Sequence, residues 1–180
     1  MIVQLSVTST VPALAQTPQD WGKADKSGVQ MRLEAVRKEW QSSETPSLTL
    51  DLRNTGIKTA LYLPVGQEFL IEVDGHWYAW WEAIPLNMPA MQLFPGKEKD
   101  GAVTIELTEV WFTNSGLPDW DGVSAGDSKG IIHLKLSPGK HTVRVKFRPG
   151  APITITAISN PTEFKIEAYS TSTTDSSDPR

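Results

Sequence analysis

The feature that most constrains this chain is an alternation of apolar and polar residues with a period of two, repeated along most of its length. Val29, Met31, Leu33 and Ala35 alternate with Gln30, Arg32 and Glu34. Leu48, Leu50 and Leu52 alternate with Thr49, Asp51 and Arg53. Val103, Ile105 and Leu107 follow the same rule, as do Ile132, Leu134 and Leu136, then Val143, Val145 and Phe147, then Phe164, Ile166 and Ala168. Successive side chains of a β-strand point to opposite faces, so each segment hides one face and wets the other. Two sheets stacked face to face bury every such row. The expectation is an all-β, immunoglobulin-like antiparallel β-sandwich of about seven to nine strands. Its core is expected to hold Leu50, Leu52, Ile105, Leu134, Val143, Val145 and Ile166.

Turn signals separate these rows: Asn54-Thr55-Gly56, Asp74-Gly75, Pro95-Gly96, Pro138-Gly139 and Pro149-Gly150. Two of them set a hairpin register. Around Asp74-Gly75, Val73 pairs with His76, Ile71 with Tyr78 and Phe69 with Trp80. Around Pro138-Gly139, Ser137 pairs with Lys140, Leu134 with Val143 and Ile132 with Val145, so that both apolar rows share a face. The segments 82–99 and 113–130 break the pattern and read as long loops.

Composition narrows the function classes. The 180 residues fit one domain with extensions, expected as a flexible leader or signal-like segment at 1–20, a sandwich at 21–169 and a disordered tail at 170–180. The net charge is −4, with no basic block, which argues against a nucleic-acid partner. No run of about 18 apolar residues is present to span a bilayer. Cysteine is absent, which excludes thiol nucleophiles, zinc–thiolate sites and disulfides. Met1 to Gln16 is charge-free and ends in Ala13-Leu14-Ala15, the small-x-small form of a cleavage site. It lacks a basic start, and its apolar run is interrupted by Gln4, Ser6 and Thr8.

No catalytic, metal or cofactor motif emerges. His-Glu-x-x-His, a phosphate loop and a Gly-x-Ser-x-Gly elbow are all missing. His133 and His141 fall on opposite faces in the second hairpin, so they read as surface or edge histidines. Asp119-Trp120-Asp121-Gly122 with Asp127 lacks the spacing of a calcium loop and reads as a solvated turn. Seven tryptophans are the unusual feature. The first hairpin places Leu70, Trp77 and Trp81 together on the face away from Phe69, Ile71 and Tyr78. These three are the candidate binding residues. Something must cover them, and the expected cover is the irregular apolar segment 84–94, folding back as a lid. The alternative is an open patch for a partner.

A wider likeness rests on Trp21-Gly22, the strand at Val29, Trp40, Glu44-Thr45-Pro46, Asn54-x-Gly56, Asp74-Gly75-x-Trp77-Tyr78, Leu136-Ser137-Pro138-Gly139-Lys140 and Ser159-Asn160-Pro161. In these the chain resembles β-sandwich domains of exported or membrane-anchored bacterial proteins, including those beside sensor-type zinc peptidases. The resemblance implies an extracytoplasmic, non-catalytic binding or spacer module with an unspecified protein or small-ligand partner. A second resemblance, over Leu48 to Trp111, is to the Bacillus-type intracellular proteinase inhibitors. It rests on Asn54, the aromatic run Trp77 to Trp81 and Phe94-Pro95-Gly96-Lys97-Glu98, and it implies inhibition through an exposed loop. The insertion from Glu82 to Leu93 departs from that pattern.

Overall fold

The computed structural model describes residues 20–64, 68–80, 89–114, 130–148 and 155–168. Trp81, Trp120, the Asp119–Asp127 loop, the leader up to residue 19 and the tail from residue 169 lie outside the described residues. The described chain forms twelve strands and no helix: β1 (Val29–Ala35), β2 (Glu39–Gln41), β3 (Ser47–Asn54), β4 (Ala60–Tyr62), β5 (Phe69–Val73), β6 (His76–Trp80), β7 (Met91–Leu93), β8 (Glu98–Glu106), β9 (Trp111–Asn114), β10 (Ile131–His133), β11 (Gly139–Phe147) and β12 (Thr162–Glu167). The count exceeds the expected seven to nine because β2, β4, β7 and β10 have three residues each, too few to show an alternation.

Strands β1-β3-β8 make one sheet and β10-β9-β6-β5-β11-β12-β2 the other, while β4 and β7 form a separate pair. All pairs are antiparallel except β12 with β2. The inward rows of both sheets merge into one core, where Met31, Leu33, Leu48 and Leu50 join Ile71, Val143, Val145 and Phe164. All seven expected core residues belong to it, none more than 3% exposed. At roughly 1.5–3 kcal/mol for each buried large aliphatic or aromatic side chain, these rows supply the main drive to fold.

The Asp74-Gly75 hairpin has the expected register, Val73 with His76 and Ile71 with Tyr78. Asp74 and Gly75 both take positive φ, 50° and 85°, as a turn that matches strand twist requires. Asp74 is held there from outside the hairpin, since its carboxylate accepts the Thr142 N–H at 2.9 Å.

The Pro138-Gly139 hairpin does not form. Strand β10 pairs with β9 at one edge, while β11 lies between β5 and β12, with three strands separating it from β10. Leu134 and Leu136 instead cross the end of the sandwich and close its core, with the Leu134 N–H donated to Trp111 O at 2.8 Å. Ile132 is left half-exposed at the edge. The same rearrangement corrects the reading of His141 as a surface or edge residue facing Leu136. On central β11 it is buried against Phe164, with Nδ1 2.7 Å from Asp74 Oδ2 and Nε2 2.7 Å from Ser137 O. The segment expected as an irregular lid also changes character. Met91–Leu93 is a strand, paired with β4.

The outer edge of β1 is sealed by local groups. Gly22 N–H bonds Met31 O at 2.8 Å, and Asp25 bonds Val29 through both its N–H and its carboxylate. Asn160 and Thr162 take the main-chain groups of Leu33. Burial alone would raise the Asp25 carboxyl, but hydrogen bonds from Ser27, Thr156 and Val29 outweigh it and hold the group below the ordinary carboxylate range. A depressed acid stabilises the fold above its unfolded pKa and loses that contribution as pH falls through the folded one. Asp25→Asn is therefore expected to be less stable than the parent at neutral pH. The gap in urea midpoint should close as pH drops through the carboxylate range. A gap that is constant with pH would refute this account.

Candidate functional site

Aligned registers across the large sheet define its outer face. Lys146 stands opposite Leu70, Leu70 opposite Ala79, Ala79 opposite Phe112 and Phe112 opposite His133. One row along, Arg144 faces Glu72, which faces Trp77. Facing residues in an antiparallel pair share a side of the sheet, so these side chains all point away from the main core. Leu70, Ala79 and Phe112 nevertheless form a second buried apolar cluster, with Trp77 and Ile131 packed against it half-buried.

The sequence placed Leu70 and Trp77 on one outward face, and the structure does bring them together there. It separates their roles. Leu70 is 1% exposed and acts as packing beneath the surface. Trp77 keeps part of its ring accessible, and the Lys146 ammonium lies 4.1 Å from its ring centroid. That distance is within cation–π range, where the negative face of the indole attracts the cation. Beside it Glu72 is ion-paired to Arg144. Of the residues proposed as a lid, Leu93 enters the main core and Met91 is 42% exposed, so neither covers Trp77. Leu86 and Met88 lie outside the described residues.

Sequence reasoning missed Lys146, Phe112 and Ile131. Lys146 could not be found while β11 was paired with β10, because its neighbour Leu70 belongs to β5. Phe112 had a signal: Trp111-Phe112 is an adjacent apolar pair, and adjacent residues on a strand need burial on both faces. Trp111 takes the inner side and Phe112 the outer.

A shallower concavity of about 510 Å³ lies at the end of the sandwich. Its floor is Leu107, Leu134, Leu136 and Ile166, and its rim carries Ser42, Thr45, Glu44 and Glu109 among others. The Gln41 N–H and, after it, the Arg37 guanidinium hold the Glu44 carboxyl below the ordinary range. A carboxylate engaged in this way is an anchor for its own turn and is poorly placed to move protons. Among the described residues, no three His, Asp or Glu side chains gather as a metal site would require.

No family model and no curated protein matches the sequence. Solved structures with some similarity include a β-glucosidase from Erythrobacter marinus, at 12% identity over 77% of this chain and TM-score 0.38. Another is a β-glucosidase from Listeria innocua in complex with gluconolactone, at 15% identity over 78% of this chain and TM-score 0.36. The chain spans only 15% and 16% of the lengths of those two proteins. Likenesses this slight carry no argument about fold or activity.

Proposed function

We propose that this domain is a non-catalytic protein-binding module that presents the outer face of its seven-stranded sheet, centred on Trp77. The observation that carries this reading is a partly exposed indole seated on a dry apolar cluster and flanked by Lys146. Interfaces draw most of their affinity from a few anchors of this kind, large aromatic groups on a rigid support with charged groups around them. Rigidity here comes from sheet pairing on both sides of β5 and from the Glu72–Arg144 pair. The resemblance to β-sandwich domains of exported or membrane-anchored bacterial proteins supports the same class of role. A passive spacer has no need of such a group.

The test compares the parent with Trp77→Ala and Lys146→Glu in cross-linking capture from cell extracts, with Arg37→Ala, in the connection between β1 and β2, as control. Trp77 is only half-buried, so both variants should still unfold cooperatively, within about 1–2 kcal/mol of the parent. Both should lose at least tenfold of any specifically captured partner, while the control keeps it. Identical captured sets for all four proteins would leave the module a spacer and sink the binding reading.

A further inference from the structure

Three turns are tied into one end of the sandwich by Asn54 and Thr55. The Asn54 N–H donates to Lys97 O at 2.9 Å, and Asn54 O accepts the Gly96 N–H at 2.8 Å. Its side-chain Nδ2 donates to both Lys58 O and Leu93 O, at 2.8 and 2.9 Å. Ile57 precedes the first of those carbonyls and Phe94 follows the second, so the two residues stand on adjoining turns. Thr55 adds the third turn, giving both its N–H and its hydroxyl to Gly28 O. That turn, Asp25 to Gly28, is closed by the Gly28 N–H on Asp25 O at 3.0 Å. Phe94 to Lys97 is closed in the same way, with the Lys97 N–H on Phe94 O at 3.1 Å and Gly96 at φ 70° after Pro95.

Braced in this way, the turns display apolar side chains to solvent. Ile57 is 91% exposed and Phe94 53%. Single apolar residues on a surface are ordinary, but two on adjoining, bonded turns make a patch. Lys26, Lys58 and Lys97 stand around them, one on each turn and all exposed. Among the described residues, none of these three lysines makes an ion pair. The acids beside them in sequence are engaged elsewhere. Asp25 accepts from Ser27, Val29 and Thr156, and Glu98 lies 3.9 Å from Arg53. This end is therefore locally basic, on a chain whose net charge is −4.

Convexity and charge together select the occupant. A side chain as exposed as Ile57 projects from its turn, and a rigid partner would have to supply a matching pocket. The boundary between headgroups and acyl chains in a bilayer receives a projecting apolar group of any shape. Lysines set beside such tips hold their ammonium groups at the level of the lipid phosphates, while their apolar stems follow the tips inward. Each lysine close to an anionic surface raises partitioning about fivefold. We infer that this end docks on an anionic lipid surface, with Ile57 and Phe94 entering the boundary and Lys26, Lys58 and Lys97 meeting the phosphates. The surface shares no residue with the Trp77 face, goes beyond the role assigned there and does not depend on it.

The experiment is cosedimentation of the full 180-residue chain with phosphatidylcholine vesicles, with and without phosphatidylserine at roughly one lipid in three, in about 0.15 M salt. The parent should sediment with the anionic vesicles and stay in solution with the neutral ones. The double variant Ile57→Ser, Phe94→Ser should partition at least about tenfold less, and so should Lys58→Glu, Lys97→Glu. All four side chains are exposed, so both proteins should keep the parent's urea midpoint. Ile132→Ser removes an exposed apolar group from β10, the edge strand of the other sheet, and should bind as the parent does. A parent that ignores the anionic vesicles would overturn the inference. So would a serine variant that binds like the parent, because lysines alone would then account for the adsorption. If vesicles leave the chain in solution while Ile57 and Phe94 are needed to capture a protein, the surface is a protein interface and the lipid assignment is wrong. None of these outcomes touches the Trp77 capture assay.

Discussion

Leu50→Asp should yield a chain with no cooperative unfolding transition. Leu50 is fully buried at the centre of β3, paired with Leu33 on one side and Val103 on the other. It belongs to the core shared by both sheets, and each of those two neighbours is aliphatic. The substitution forfeits about 1.5–3 kcal/mol of apolar burial. It also places a carboxylate where nothing donates to it, a cost of several kcal/mol whether the group stays charged or takes up a proton. Domains of this size are stable by about 5–15 kcal/mol in total, so the sum removes most or all of the margin. Urea titration followed by tryptophan fluorescence is the measurement. A sharp transition near the parent midpoint would show that the site opens to water, and the two-sheet core described above would be wrong.

Some of this architecture was legible because it is written locally. The Asp74-Gly75 turn joins two strands directly, so its residue chemistry fixes the register and with it the outward placement of Leu70 and Trp77. Alternation likewise states which residues share a face. It does not state which strand lies alongside. Leu134, Leu136, Val143 and Val145 have the spacing of a hairpin, yet β11 finds its partners in β5 and β12, remote in sequence. From that one misassignment followed the exposed reading of His141 and the oversight of Lys146. Asn54 illustrates the same limit. Within the sequence it marks a turn, and it does accept the Gly56 N–H at 2.9 Å. Its Nδ2 also donates to Leu93 O at 2.9 Å, tying β3 to a strand in a segment whose prolines and methionines spoke for irregular chain. Gly56 is needed for a reason equally remote, since a Cβ there would stand 1.9 Å from Ser27 O.

Asp51, one residue from Leu50 and on the opposite face, should show the reverse dependence, with its charge required. Alternation marks it as solvent-facing, yet it is 4% exposed. Its burial comes from three separate parts of the chain. Arg32 on β1 binds Oδ2 through Nε and Nη2 at 3.0 and 2.8 Å. Trp21 stacks against the guanidiniums of both Arg32 and Arg53 and roofs this part of the sheet. On the other side, the pairing of β3 with β8 is irregular between Leu50 and Leu52, and the freed Gly101 N–H donates to Asp51 Oδ1 at 2.7 Å. One carboxylate thus neutralises a partly buried arginine and satisfies the irregularity in its neighbour strand. Breaking a buried ion pair from one side costs about 3–5 kcal/mol. Arg32 retains Glu34 at 3.3 Å and Asp100 at 3.7 Å and is itself partly exposed, so Asp51→Ala is expected near the lower end, about 3 kcal/mol. Asp51→Asn keeps an oxygen for the Gly101 N–H and gives up only the charge, so about half that loss is expected. In Arg32→Met, the same Asp51→Ala change should cost markedly less than in the parent, because the two groups share one interaction. Equilibrium unfolding of the four variants and the parent in urea completes the cycle. An Asp51→Ala protein with the parent's midpoint, or a cycle with no coupling between positions 32 and 51, would mean that the carboxylate is a bystander on the sheet and that the β8 irregularity is held by other groups.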